Sequence, residues 1–327
     1  MQQYIWILCL CLFIFSSCEN VEEEIIEQEI ITKKRLEKIT KTSLIILGNV
    51  QDAGYPQIGC MKACCREHWS PAAQKKSITC LGLVDPTSNQ TWLFEASPDF
   101  KHQTKKLSDY VNQDVFQLPN GIFLTHGHIG HYVGLMHLGR EAMGADRVPV
   151  YAMPRMKNYL ETSGPWSQLV ALNNIDLQLL AADSSILLTP TLKVTPFLVP
   201  HRGEYTETVG YKIEGENQRV LFIPDIDKWD QWEKNIKEEI AKVDLAFLDA
   251  TFFKNGEVGN RDMSEIPHPF VEESMKLFAD LPETEKAKIH FIHFNHTNPA
   301  IKDSHPLKDS LQNLGFQFPK EGSLFEM

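Results

Sequence analysis

No apolar run in this chain is long enough to cross a bilayer as a helix, which takes about 20 residues. The longest, Tyr4 to Phe15, has twelve. The body of the chain has no cluster of basic residues, and the net charge is −11. A nucleic acid, which rewards Lys and Arg patches, is therefore not expected as a partner. An acidic body leaves room for a small anionic substrate, because a bound metal supplies its own positive charge. Cysteine is sparse, and Cys9, Cys11 and Cys18 precede the body, leaving Cys60, Cys64, Cys65 and Cys80. The fold therefore has to rest on its apolar core. With 43% apolar residues in 327 positions, one large core or two joined lobes can form. No internal repeat with a period of 20 to 50 residues is visible, which excludes a solenoid or propeller.

The apolar run at the N-terminus ends in Phe15-Ser16-Ser17-Cys18. Small residues just before a cysteine resemble a bacterial lipoprotein signal, with Cys18 becoming the lipidated first residue. Residues 1–18 are read as this signal segment. Residues 19–42, with Glu22-Glu23-Glu24 and Lys33-Lys34-Arg35, form a charged tether. Residues 43–327 are the body. An extracytoplasmic protein, held to a bacterial membrane through lipid on Cys18, is expected.

Within the body, Leu124-Thr125-His126-Gly127-His128-Ile129-Gly130-His131 carries three histidines in six residues. They follow the short apolar strand pattern Gly121 to Leu124 and precede a helical pattern from Tyr132 to Glu141. A strand-to-helix turn lets side chains converge without breaking a hydrogen-bond ladder, and imidazole is the commonest protein ligand for zinc. Further polar residues fall at the ends of predicted strands. His201 follows Leu192 to Val199, Asp225 follows Val220 to Ile223, Asp249 follows Val243 to Leu248, and His293 and His296 close Ile289 to Phe294. Strands are also expected at 43–48, 78–84, 91–94, 148–152 and 209–213, with helices from Asp99 toward Tyr110 and over 228–241. Strands in both halves with helices between them imply two sheets faced by helices, a layered α/β body.

Cys60, Cys64 and Cys65 suit either a disulfide or a structural zinc with a distant histidine, His68 or His305 being candidates. His102, His137 and His290 read as surface or core residues, and Trp229 and Trp232 as packing.

The order His126-x-His128-x-Gly130-His131, His201, Asp225, His293 resembles the metallo-β-lactamase superfamily. So do Gly48 through Gly54-Tyr55-Pro56-Gln57 to Cys60, Ala96-Ser97-Pro98-Asp99, Asp249-Ala250-Thr251 and Thr297-Asn298-Pro299. Within it the chain is most similar to the coenzyme PQQ synthesis protein B branch, and more distantly to PhnP and ribonuclease Z. The resemblance implies an α/β fold of four layers, an αββα sandwich with the site at one edge. It implies one metal on His126, His128 and His201, with Asp225 bridging to a second on His131 and His293. The superfamily pattern has aspartate at the position of Gly130. One tightly and one weakly held metal are therefore expected, unless His296 replaces the missing ligand. Zinc is the expected metal, one or two ions, with iron or manganese as alternatives.

The implied activity is a metal-dependent hydrolase in which metal-bound hydroxide attacks an ester, phosphodiester or similar small substrate. Asp249 and His268 resemble the acid and histidine that pair as proton donor in the ribonuclease Z branch. In an ordinary structural role, the first caps a strand turn and the second a helix. An iron-dependent hydroxylase of the PQQ-synthesis type and a non-catalytic metal-binding surface lipoprotein are the other functions the sequence allows. If Cys18 carries the lipid, Cys18→Ser releases the protein from the membrane fraction. An unchanged membrane fraction on centrifugation would refute the anchor.

Overall fold

The computed structural model describes residues 39–327 except 72, 74, 112, 113, 260 and 261. Cys18 and most of the charged tether lie outside these residues. Within them, no helix is long and apolar enough to cross a membrane. Ile39, four residues before the first strand, is already buried.

The first sheet is built from β1 (Ser43–Gly48), β2 (Cys80–Asp85), β3 (Gln90–Phe94), β4 (Gly121–Phe123), β5 (Val148–Ala152) and β6 (Ile175–Leu179). The second comprises β7 (Ile186–Thr189), β8 (Leu192–Leu198), β9 (Val209–Glu214), β10 (Arg219–Ile223), β11 (Leu245–Asp249) and β12 (Ile289–Ile292). The final strand β13 (Leu324–Glu326) returns to β1, giving the orders β13-β1-β2-β3-β4-β5-β6 and β12-β11-β10-β9-β8-β7.

Period-two side-chain alternation makes this a sandwich. Leu44 and Ile46 of β1 join Phe94, Phe123, Tyr211, Phe222 and Phe247 in the cluster between the sheets. Their neighbours Ile45 and Leu47 face the other way, into a second cluster. That cluster includes α1 (Phe100–Val111), α3 (Pro154–Thr162) and α4 (Trp166–Ala171), through Leu107, Leu160 and Leu169. Leu221 and Ile223 of β10 likewise turn outward, toward Ile236 and Ile240 of α5 (Ile236–Ala241) and Val271 of α6 (Val271–Leu277). Helix, sheet, sheet, helix is the expected αββα order. The fully buried, mostly apolar strands β1, β2 and β12 fit strands covered on both faces.

Two predicted helices differ. The helix expected from Tyr132 to Glu141 is instead a 3-10 segment over Val133–Leu138, preceded by one α turn, α2 (Ile129–Tyr132). Residues 228–241 break into a 3-10 turn at Trp229–Gln231 and α5. Trp229 and Trp232 are buried there and donate to Ser274 Oγ and the Leu198 carbonyl, both at 2.9 Å. Indole burial against fixed acceptors overrides the helical periodicity.

Strand direction decides where a site can form. β1 and β3 are both antiparallel to β2, and β3 is parallel to β4. β8 and β10 are both antiparallel to β9, and β10, β11 and β12 are parallel. In each sheet the carboxyl ends of these strands therefore share an edge. Two hydrogen bonds tie the sheets together there: Val209 N donates to Thr125 O at 3.1 Å, and Tyr211 Oη to Leu124 O.

Candidate metal centre

His126 follows β4, His201 follows β8, Asp225 follows β10, and His293 follows β12. Asp225 Oδ2 lies 3.4 Å from His126 Nε2, 3.2 Å from His201 Nε2 and 3.7 Å from His131 Nε2. His128 enters with its other nitrogen, Nδ1, 3.2 Å from His201 Nε2. One ligand atom each of His126, His128, His201 and Asp225 falls within 4.8 Å of the others. Beside them stands a second group with the same spacing, His131, His293 and Asp52. Asp52, on the loop after β1, carries no metal-ligand motif in the sequence.

The outer nitrogens explain which way the rings present their lone pairs. Thr125 Oγ1 donates to Glu95 Oε1 at 2.6 Å and lies 2.9 Å from His126 Nδ1. A hydroxyl has one proton, so having given it to the carboxylate it must accept from Nδ1–H. The lone pair of His126 is thereby fixed on Nε2, facing the centre. The same relay recurs at His293. Thr251 Oγ1 donates to Asp249 Oδ1 at 2.7 Å and meets His293 Nδ1 at 2.8 Å. His201 Nδ1 is held by Asp227 at 2.9 Å, and His131 Nδ1 lies 3.1 Å from Glu95 Oε1. Outer partners of this kind orient the histidines of metal sites. Aiming them costs backbone strain: Glu95 and His293 hold φ of 86° and 65°, the left-handed region that non-glycine residues seldom adopt.

Burial and charge act together. Burial alone would raise the Asp225 carboxyl, but cationic His201 and His268 outweigh it and hold it well below the usual range. Burial disfavours a charge on His201, and Asp225 reverses this, pushing its pKa up to about 9. His126 is pushed well down, first by burial and then by His131. Its Nε2 is buried and makes no hydrogen bond among the described residues. An inward lone pair without a partner, beside an ionised carboxylate, is a donor set that fits a divalent cation.

His268 Nδ1 sits 2.8 Å from Asp249 Oδ2 and 3.0 Å from Asp225 Oδ1, so the sequence-predicted pair does form, at the rim of the centre. His296 stands elsewhere. Its ligand atom groups with the thiols of Cys60, Cys64 and Cys65, and Asp52 is the residue beside His131 and His293. His68 and His305 are not the fourth member of the cysteine group. His68 packs against Tyr55 with its ring tilted, and His305 accepts from Leu307 N as a helix cap. His137 packs against Phe100.

A family model, the beta-lactamase superfamily domain, matches residues 90–291. The chain belongs to the metallo-β-lactamase superfamily. Coenzyme PQQ synthesis protein B of Methylorubrum populi is 24% identical over 305 residues, covering 87% of this chain and 99% of its own. The protein of the same name from Xanthomonas campestris is 23% identical over 301 residues, covering 85% of this chain and 98% of its own. Among solved structures, Zn(2+)-bound PqqB from Methylobacterium extorquens superposes with a TM-score of 0.70 at 21% identity. It spans 87% of this chain and 100% of that one. A diphosphatase of the PhnP family gives 0.61 at 23% identity, over 88% and 98%. These likenesses establish the shared superfamily fold.

The outer partners of the histidines yield a direct expectation. Among the described residues, the Asp227 carboxylate pairs only with His201, from a partly exposed position. Asp227→Ala should weaken metal binding by roughly 10- to 100-fold with the fold intact. Titration with zinc against a competing chelator measures this, and an unchanged affinity would remove Asp227 from the role.

Proposed function

We propose that this protein is a metal-dependent hydrolase of small esters or phosphoesters. His126, His128, His201 and Asp225 hold one metal, and His131 and His293 serve a second position beside it. The observation that carries this reading is that His126 and His201, whose outer nitrogens are held by Thr125 and Asp227, turn their inner nitrogens toward Asp225. Zinc suits these donors, and the solved relative from Methylobacterium extorquens is described as Zn(2+)-bound. Iron and manganese meet the same nitrogen and oxygen donors.

When bound, a divalent metal lowers the pKa of a water from 15.7 to about 7 and polarises the oxygen of the scissile group. The chain supplies the rest. Asp249, fully buried, fixes His268 at the rim, and His268 gives its ring proton to the leaving oxygen. A cleft of about 410 Å³ opens beside His201, and its wall is of mixed charge, with Arg155 and Lys234 set among Asp183, Glu207 and Glu233. A larger hollow of about 610 Å³, beside Trp229, contains none of the centre's residues in its wall. The cleft at His201 borders the centre directly.

His126→Ala should lower occupancy of the first metal position and abolish turnover in a screen of phosphodiesters, esters and lactones, and His137→Ala should change neither. His268→Ala should lower kcat by about 10²- to 10⁴-fold on substrates with poor leaving groups, and far less on activated aryl esters. Equal losses on both would exclude His268 as the proton donor. Absence of turnover by the metal-loaded protein on every substrate class would overturn the hydrolase. Oxygen uptake by iron-loaded protein would instead favour the hydroxylase suggested by histidine-carboxylate donors and by relatives named for coenzyme PQQ synthesis. Attachment to a bacterial membrane through Cys18 completes the proposal.

We further propose that Cys60, Cys64, Cys65 and His296 bind a structural zinc. Tetrahedral bonds of about 2.3 Å separate two sulfurs by roughly 3.8 Å, whereas a disulfide joins them at about 2.05 Å. Cys60 Sγ and Cys64 Sγ are 3.6 Å apart, and His296 Nδ1 is buried with no hydrogen-bond partner among the described residues. Cys64→Ser should lower zinc content and unfolding temperature together. A Cys–Cys disulfide found by mass spectrometry in the native protein would refute the site.

A further inference from the structure

We propose that Asp52 is the anionic ligand of the second metal position, standing in from a distant loop for the side chain that Gly130 lacks. The inference rests on the metal-centre reading above and concerns a residue to which that reading gives no part. Asp52 Oδ1 lies 3.0 Å from His131 Nε2 and 3.3 Å from His293 Nε2. These are the inward nitrogens, since Glu95 and Thr251 stand at the outward ones. A carboxylate oxygen and two imidazole lone pairs thus face one another as a three-donor set. Asp225, 3.7 Å from His131 Nε2, stands between this set and the first one.

The geometry at Gly130 shows why the two positions belong together. A Cβ built on Gly130 would fall 2.3 Å from Asp52 Cγ, 2.5 Å from its Cβ and 2.7 Å from its Cα. The contact includes backbone, so a rotamer change of Asp52 cannot relieve it. The space into which a side chain at 130 would project is already filled by the carboxylate arm of Asp52. One carboxylate can approach His131 from position 130 or from position 52, but not from both. Glycine at 130 is the condition for Asp52 to enter.

The loop that delivers Asp52 is anchored to the ligand it serves. Gln51 N donates to Phe294 O at 3.0 Å, and Phe294 N donates to Asn49 O at 3.0 Å. Asp52 is therefore held by the backbone segment that immediately follows His293. A ligand fixed in this way loses little freedom on binding a metal.

Zinc-loaded full-length protein tests the proposal by anomalous diffraction, which counts ions by place, and by equilibrium dialysis, which measures their affinity. Wild type should hold two ions at the histidine centre. Asp52→Ala should keep the first and weaken the second by more than the roughly 10- to 100-fold expected for loss of an outer partner. Asp52→Asn, which keeps shape and removes charge, should weaken it in the same direction and stands in if the alanine variant does not fold. The exchange Asp52→Gly with Gly130→Asp should restore the second ion, whereas Gly130→Asp alone should destabilise the protein. A single ion at the centre of wild type, or two ions held equally well by wild type, Asp52→Ala and Asp52→Asn, would overturn the assignment. Loss of the second ion in a protein that hydrolyses nothing would uphold Asp52 and overturn the hydrolase. Hydrolysis with unchanged ion content in both single variants would do the reverse.

Discussion

The centre depends on a proton-counting constraint. A neutral imidazole has one N–H and one lone pair, and a metal takes only the lone pair. The chain fixes which nitrogen carries the proton by placing threonine hydroxyls between histidines and buried carboxylates. Thr125 links His126 to Glu95, and Thr251 links His293 to Asp249. Each hydroxyl has spent its proton on the acid and can only accept from the ring. Glu95 and Asp249, both fully buried, are costly charges unless paired, so these relays hold together as units.

The sandwich meets this demand because its strands deliver side chains to one edge. Ladder hydrogen bonds end where the strands end, and the residues just beyond are free to turn inward. Two of them, Glu95 and His293, do so with left-handed backbone conformations. The neighbouring layers keep water out, so the acids act on the imidazoles without being screened. Tyr211 and Val209 reach across from the second sheet to the segment before His126, which fixes the two halves of the centre to one another.

Two segments recur in the second metal position and in the thiol group. The loop after β1 carries Asp52 and, further on, Cys60, Cys64 and Cys65. The segment after β12 carries His293 and His296. Each contributes to both donor groups, and their backbones are hydrogen-bonded at Gln51 and Phe294. A cation among the thiols would therefore stiffen the same two segments that bring Asp52 to His293. Stability and site geometry are linked here by chain connectivity as well as by contact.

Much of this was legible in the sequence. Period-two and apolar patterns marked ten of the strands to within a few residues, including β1 at its observed limits, and the order of His and Asp at their ends marked the superfamily and its edge site. These are local signals: a strand is written in alternation, and a strand-end residue is adjacent in sequence to the strand that aims it. The helix expected over residues 228–241 was lost to indole packing, which periodicity does not encode. The identity of the carboxylate beside His131 was not legible, because Asp52 lies 79 residues before it in the chain. Nor was the partner of the thiols, since His296 lies far along the chain. Gly130 signalled that a ligand atom was missing. Only the folded chain decided what fills the space, because glycine records a vacancy and tertiary packing determines which distant side chain occupies it.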